Sequence, residues 1–271
     1  MYFSYICTMS VQTDLKIVKE WYRLHIEDKL SHVDIAKLYN VNRETVRRNF
    51  KRFNLQSFNY HNEIKHNKDK FSEIKTEEDA YWLGFIYADG YVSDKNDFEI
   101  GLKESDYQHI EKFIKYLEIN TTIKYNKKYK SCKIIYRNKI LVDNLKKLGV
   151  VPRKSLILKF PQNIISDNLI RHFIRGYFDG DGCISIYKNK LNREITSISL
   201  LGTKHFLDNV RIYSPIQFGK YIKNNNSETT LVLSTSHKKA RIFIDWLYKD
   251  STIFLDRKYE KYKFAVLDRN I

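Results

Sequence analysis

The sequence predicts an α+β fold, with two pseudo-symmetric αββαββα repeats forming a saddle behind a small all-α module. Three observations predict it. The segment Tyr81 to Tyr91, YWLGFIYADGY, returns as Phe173 to Cys183, FIRGYFDGDGC, so that Gly84 matches Gly176, Ala88 matches Gly180, Asp89 matches Asp181 and Gly90 matches Gly182. Each copy is followed by the same succession of alternating and helical patterns, as expected of a duplicated unit. The stretch before the first copy has helical periodicity and no strand-like alternation.

The N-terminal elements come first. Leu15, Val18, Trp21, Tyr22 and His25 share one helical face, with Lys16, Lys19 and Glu20 opposite. Ser31 opens a second helix, with Asp34 three places on as a short capping box, and Ile35, Ala36 and Leu38 are its expected apolar side. Asn40 and Val41 form a turn, since asparagine tolerates the left-handed conformation. Asn42 caps a third helix running to about Phe53, with Val46, Phe50 and Phe53 inward. Residues 31–55 resemble a helix-turn-helix, in which small Ala36 lets the helices cross closely. Arg43, Glu44, Arg47, Arg48 and Lys51 then face outward, where a major-groove reader needs them; the plainer reading is a solvated basic face on a three-helix bundle. The expected divisions are a helix-turn-helix module at 1–55, a polar linker at 56–78, a first repeat at 79–150 and a second at 151–271.

Within the repeats, Tyr91 to Ser93 and Phe98 to Lys103 alternate as a strand pair, and Ser105 to Ile119 is helical. Thr122 to Lys127 and Cys132 to Arg137 alternate again before a helix at Ile140 to Leu148. The second repeat keeps this order at Cys183 to Tyr187, Ile195 to Leu201, Lys204 to Tyr213, Phe218 to Lys223, Thr230 to Ser234 and Ala240 to Tyr248. Alternation turns Val92, Phe98, Ile100, Leu102, Ile123, Tyr125, Ile134 and Tyr136 toward the helices. It turns Tyr91, Ser93, Glu99, Lys103, Lys124, Lys133 and Arg137 away, and likewise Ser185, Tyr187, Ser197, Ser199, Tyr221, Lys223, Thr230 and Ser234 in the second repeat.

Composition narrows the partners. The 271 residues carry 48 Lys and Arg against 32 Asp and Glu, a formal net charge of +16, with most of the excess after residue 78. A chain that is 42% hydrophobic and 14% aromatic can bury a core, which excludes wholesale disorder. No apolar run reaches the roughly 20 residues of a membrane span. Cys7, Cys132 and Cys183 form no metal-binding or disulfide pattern, so an intracellular, reducing setting is expected. Excess positive charge points to a polyanion, most simply nucleic acid.

The repeated motif has physical content. Gly84 and Ala88, like Gly176 and Gly180, lie four residues apart on one helix face and allow two helices to approach backbone to backbone. The Asp-Gly ends read as helix stops, with the glycine expected in a left-handed turn. Packed together, the two helices bring Asp89 and Asp181 side by side. Two carboxylates so placed repel unless a cation lies between them, and a hard ion, Mg²⁺ or Mn²⁺, suits carboxylate oxygen. Such an ion activates water and neutralises a leaving oxygen, which is the chemistry of phosphodiester hydrolysis. Lys103, closing its strand on the outward face, is the candidate for steadying the phosphate, and register makes Leu201 its expected counterpart.

On Trp82 to Gly90 and Ile174 to Gly182, the chain resembles the single-chain, two-motif LAGLIDADG homing endonucleases from about Thr76 onward. The segments Val151 to Ser155 and Leu255 to Tyr259 are similar to family segments as well. The resemblance implies metal binding by Asp89 and Asp181, help from the carbonyls of Ala88 and Gly180, and short 3′ overhangs cut across the minor groove. At the sixth motif position Tyr87 departs from the acid that Asp179 supplies, a place of capping or packing. The expected function is site-specific double-strand cleavage of DNA by a monomer, on a long, weakly symmetric target read by the outward sheet residues. The alternative is a binding protein without cleavage, either a maturase acting on intron RNA or a helix-turn-helix regulator carrying a LAGLIDADG domain.

Overall fold

The computed structural model describes residues 13–28, 30–57, 70–154, 157–223 and 230–268. Cys7, Ser155 and the greater part of the expected linker lie outside them. The chain divides into two compact units, residues 1–65 and 66–271.

The first unit has three helices, α1 (Leu15–Ile26), α2 (His32–Leu38) and α3 (Arg43–Arg52). Ser31 and Asp34 form the reciprocal capping box, and the Asn42 side chain accepts from the Glu44 amide at the start of α3. Asn40 adopts φ 50°, the left-handed turn expected between α2 and α3. Val18, Trp21, Ile35, Ala36, Val46 and Phe50 make a small core of their own. Leu38, expected on the apolar side of α2, is 64% exposed. It lies three residues past Ile35 at the end of a seven-residue helix, beyond the reach of α1 and α3.

The second unit repeats one motif twice. The first copy runs α4 (Glu77–Asp89), β1 (Gly90–Val92), β2 (Asp97–Lys103), α5 (Tyr107–Leu117), β3 (Lys124–Asn126), β4 (Ser131–Arg137) and α6 (Lys139–Lys147). The second runs α7 (Asp167–Asp181), β5 (Gly182–Lys188), β6 (Glu194–Thr203), α8 (Lys204–Tyr213), β7 (Ile222–Lys223), β8 (Thr230–Ser236) and α9 (His237–Tyr248). Beyond them lie α10 (Asp256–Tyr262) and a π-helical turn at Lys263–Leu267. Both sheets are antiparallel and four-stranded, in the orders β1-β2-β4-β3 and β5-β6-β8-β7. The αββαββα repeat therefore holds in both halves. No helix among the described residues is long and apolar enough to cross a membrane.

α4 begins inside the expected linker. Thr76 and Asp79 build a capping box at its start, and Phe71 is buried against Tyr116. A single aromatic in a polar stretch carries no periodicity, which is why residues 70–78 read as linker rather than as part of the domain.

α4 and α7 cross at the centre, and the reason is steric. A Cβ at Gly84 would sit 1.9 Å from the carbonyl oxygen of Phe173, and one at Gly176 would sit 1.9 Å from that of Tyr81. Only two glycines facing two backbones permit that approach. The flanking residues of α4, Ala80 through Tyr87, are buried on every side, as a helix at the heart of two packed halves must be.

Most sheet faces follow the expected alternation, with three differences. Tyr125 lies on the helix-facing side opposite Cys132, yet β3 is a three-residue edge strand and leaves it 51% exposed. Lys223 pairs with Leu231 and so falls on the helix-facing side, while Ile222, paired with Val232, takes the outward place. Tyr221, expected outward, turns its hydroxyl to Asp208 of α8. The strand β7 is two residues long, too short to show an alternation of its own.

Candidate active site

The ends of α4 and α7 set the site. Each helix passes directly into the first strand of its sheet at a glycine, and both glycines are extended rather than left-handed: Gly90 at φ −81°, ψ 152° and Gly182 at φ −91°, ψ 162°. Space, not backbone sign, requires them. A Cβ at Gly90 would meet Ile86 Cγ2 at 2.6 Å, and one at Gly182 would meet the Phe178 ring at 2.3 Å.

Asp89 and Asp181 are the last residues of the two helices and are half-buried beside each other. The Asp89 carboxylate lies against α7 so closely that a Cβ on Gly180 would be 2.9 Å from its Oδ2. Burial, and then the charge of Asp181, push the Asp89 carboxyl up to about 6. Burial raises Asp181 as well. Each carboxylate is thus held where its charge is costly. A divalent ion relieves that cost, and the donors available, carboxylate and backbone carbonyl oxygen, are hard ligands that fit Mg²⁺, Mn²⁺ or Ca²⁺. Among the described residues no cluster of three or more His, Cys, Asp or Glu that could hold a metal forms, at this pair or away from it.

Two buried lysines complete the arrangement. Lys154 donates through Nζ to the carbonyl oxygens of Gly90 and of Ala88, the latter at 3.3 Å. Lys258 donates to Phe178 at 2.5 Å, Asp179 at 2.7 Å and Gly182 at 2.5 Å. Each lysine therefore caps the carboxyl end of one dyad helix, where unpaired carbonyls attract cations. Burial lowers both, Lys258 to about 8. The two segments that carry these lysines stand out in the sequence but their role does not; the repeated Arg-Lys pair, Arg153-Lys154 and Arg257-Lys258, is the signal for it. The Ala88 carbonyl, which the resemblance puts forward as a metal ligand, already accepts from the Lys154 ammonium.

The sixth motif position is structural in both copies. Asp179 is fully buried and accepts from Tyr81 Oη at 2.7 Å, Tyr248 Oη at 2.6 Å and the Leu255 amide at 2.8 Å. Tyr87, its counterpart, donates its hydroxyl to the Leu148 carbonyl at the end of α6. Both ties fasten a dyad helix to the last helix of its own repeat.

Beside Asp89 opens a cavity of about 690 Å³, lined by Gly101, Lys103, Lys124, Lys133 and Gly180 among others. Lys103 is thus among the residues that line the same cavity as Asp89. Its counterpart is not Leu201. Gly90 pairs with Ile100 and Gly182 with Leu200, which makes Gly101 equivalent to Leu201 and Lys103 equivalent to Thr203. The longer β5-β6 hairpin hides this from a count along the sequence.

The outward face of the first sheet carries Tyr91, Ser93, Lys124, Lys133 and Arg137. Lys133 pairs with Glu99 at 2.9 Å, and Arg137 pairs with Asp97 through Nε at 2.6 Å. Ser93 bonds the same Asp97 at the hairpin end. On the second sheet Ser197 lies opposite Ser185, Ser199 opposite Ser234, and Tyr187 stands half exposed nearby. In the separate N-terminal unit Arg43, Glu44, Arg47, Arg48 and Lys51 are all exposed on α3, with Arg47 paired to Glu44 at 2.9 Å.

Residues 168–244 match the family of LAGLIDADG-like domains. Solved structures share the fold over a longer span. The LAGLIDADG homing endonuclease I-LtrWI, bound to its target DNA, aligns with 73% of this chain and 90% of its own, at 14% identity and a TM-score of 0.51. The fold is that of the LAGLIDADG homing endonucleases. I-SmaMI, bound to an uncleaved DNA target with calcium ions, covers 73% of this chain and 92% of its own at 12% identity and a TM-score of 0.51. The replication factor C small subunit of Methanocaldococcus jannaschii is 28% identical over 207 residues, which is 72% of this chain. The chain spans about a tenth of the length of that relative.

Proposed function

We propose that the chain is a site-specific DNA endonuclease that hydrolyses both strands of a duplex, with a divalent metal held between Asp89 and Asp181. The observation that carries this reading is the pair of crowded, pKa-raised carboxylates at the tips of two helices in a protein of net charge +16. Asp89 and Asp181 hold the metal, with the Gly180 and Ala88 carbonyls as further oxygen donors. Bound there, Mg²⁺ or Mn²⁺ supplies an activated water and neutralises charge on the departing oxygen. Lys154 and Lys258 fix the helix ends that carry the carboxylates, and Lys103 steadies the phosphate from the sheet.

The outward sheet faces lie in the major groove of a long, weakly symmetric target. The lysines and Arg137 engage phosphate, and Tyr91, Ser93, Ser185, Tyr187, Ser197, Ser199 and Ser234 reach base edges. Lys223 serves at the rim only. The N-terminal unit acts as a helix-turn-helix that lengthens the footprint through Arg43, Glu44, Arg47, Arg48 and Lys51. The protein works inside cells as a monomer, since one chain supplies both halves of the dyad.

The test is selection of duplexes from a random library in Ca²⁺, followed by transfer to Mg²⁺. Recovery of one long sequence that is then cut on both strands supports the proposal. Binding without cutting in Mg²⁺ or Mn²⁺ contradicts it and favours a maturase or a regulator, which RNA-splicing and promoter-binding assays tell apart.

A further inference from the structure

Where β2, α5 and the turn between β3 and β4 meet, two tyrosines are left uncovered beside the site. Tyr107 opens α5 and is 37% exposed. Tyr125, in the edge strand β3, is 51% exposed although its register turns it toward the helices. Both line a cavity of about 580 Å³, together with Lys103, Glu104, Ser105 and Lys130. That volume lies within the range of small-ligand sites. Lys103, Tyr125 and Lys130 also line the cavity that holds Asp89, so the two spaces adjoin along one wall.

The wall is held in place. The Glu104 amide donates to the Lys130 carbonyl at 2.9 Å, which ties the turn to the end of β2. Across the same turn the Asn126 side chain accepts from the Tyr129 amide at 3.3 Å. Lys130 itself takes φ 46°, a left-handed conformation that turns usually give to glycine or asparagine. A lysine kept there sets a cation in place at a backbone cost. Charge over the adjoining spaces is mixed and favours an anion. Lys133 is paired with Glu99 at 2.9 Å, and Arg257 with Asp106 at 2.8 Å. Lys103, Lys124 and Lys130 then stand against Asp89 and Glu104.

Open aromatic faces beside lysines suit an unpaired nucleotide, whose base stacks on a ring while its phosphates meet ammonium groups. A paired base offers no free face, because its neighbours in the duplex cover both sides. Resting on the endonuclease reading above, we propose that this cavity takes an unpaired nucleotide of the DNA strand that passes Asp89. The base stacks on Tyr107 and Tyr125, and Lys103 and Lys130 hold its phosphates. Single-stranded DNA is therefore a ligand in its own right. Every base has a π face, so the pocket selects for an unpaired base rather than for its identity.

The experiment uses the full chain in EDTA and labelled single strands of one length, oligothymidylate and the same backbone carrying abasic sites. Their charges are equal, so net charge alone binds them alike. Stacking should favour the thymidylate by about tenfold or more. The double variant Tyr107→Ala, Tyr125→Ala should erase that preference, and Tyr107→Phe, Tyr125→Phe should keep it. Strands carrying 5-iodouracil should photocrosslink to Tyr107 or Tyr125, as mapped by mass spectrometry. Oligouridylate should bind no more tightly than oligothymidylate; a clear preference for the RNA would overturn the assignment to a DNA strand. Equal affinity for base-bearing and abasic strands, or crosslinks confined to other residues, would overturn the pocket itself. If the selected duplex is cut while the two single strands bind alike, the endonuclease reading holds and only the pocket falls. If no duplex is cut but the tyrosine-dependent preference is found, the pocket holds and that reading falls.

Discussion

Tyr81 has one hydroxyl proton and two neighbours for it. It donates to Asp179 at 2.7 Å, so His109 Nε2, at 2.9 Å, must be the donor to the tyrosine oxygen. His109 is then the neutral Nε2–H tautomer, and burial lowers it to about 3. The sign of the stability effect follows. As pH falls below about 6.5 the unfolded chain takes up the proton first, so stability present above pH 6.5 is lost on the way to pH 3. Urea midpoints measured across this range should fall with pH, and His109→Gln should flatten part of that slope; an unchanged slope would refute a His109 held neutral by burial. The aspartate pair makes a second prediction at this scale. Millimolar Ca²⁺ should raise the melting temperature of the wild type by mass action on the folded state, and Asp89→Asn or Asp181→Asn should remove that shift. These two aspartates are legible in the sequence because each ends a repeated glycine-bearing helix. The lysines that cap those helices are not, since they lie over 60 residues away along the chain from the carbonyls they serve.

At the scale of the element, the dyad helices bear the fold. Gly84 and Gly176 meet backbone rather than flexible side chains, so no neighbour can give way. Gly176→Ala should cost at least about 3 kcal/mol, at or beyond the upper end of ordinary overpacking, measured by denaturant unfolding. A cost below ~1 kcal/mol would mean that the helices part easily. The order of elements is readable from the periods of 3.6 and 2, and the repeat confirms each assignment twice. What resists is local geometry. The motif glycines look like left-handed stops because Asp-Gly so often is one, yet here the chain runs straight into a strand and the glycine clears room for Ile86 or Phe178. The register of β6 against β2 is shifted by hairpin length, and β7 is too short to signal its faces.

For the whole molecule, charge is the organising quantity. An excess of 16 positive charges draws a polyanion, and its weakening by salt should be steep if the outward lysines meet phosphate. Replacing Arg43, Arg47 and Arg48 by Gln should weaken target binding by about tenfold or more and reduce the salt slope. The cleavage rate at saturating protein should be unchanged. Unaltered affinity would make the N-terminal unit a scaffold. Its three helices and capping residues are plain in the sequence, whereas its proposed role in DNA binding is not written in them. The pseudo-twofold second unit already supplies two sheets and one shared pair of carboxylates. The most direct measurement is therefore cleavage and binding by Asp89→Asn and Asp181→Asn on the selected duplex. Each variant should bind in Ca²⁺ with nearly wild-type affinity and make no double-strand break in Mg²⁺. Full cleavage by either variant would contradict the placement of the metal between these two carboxylates.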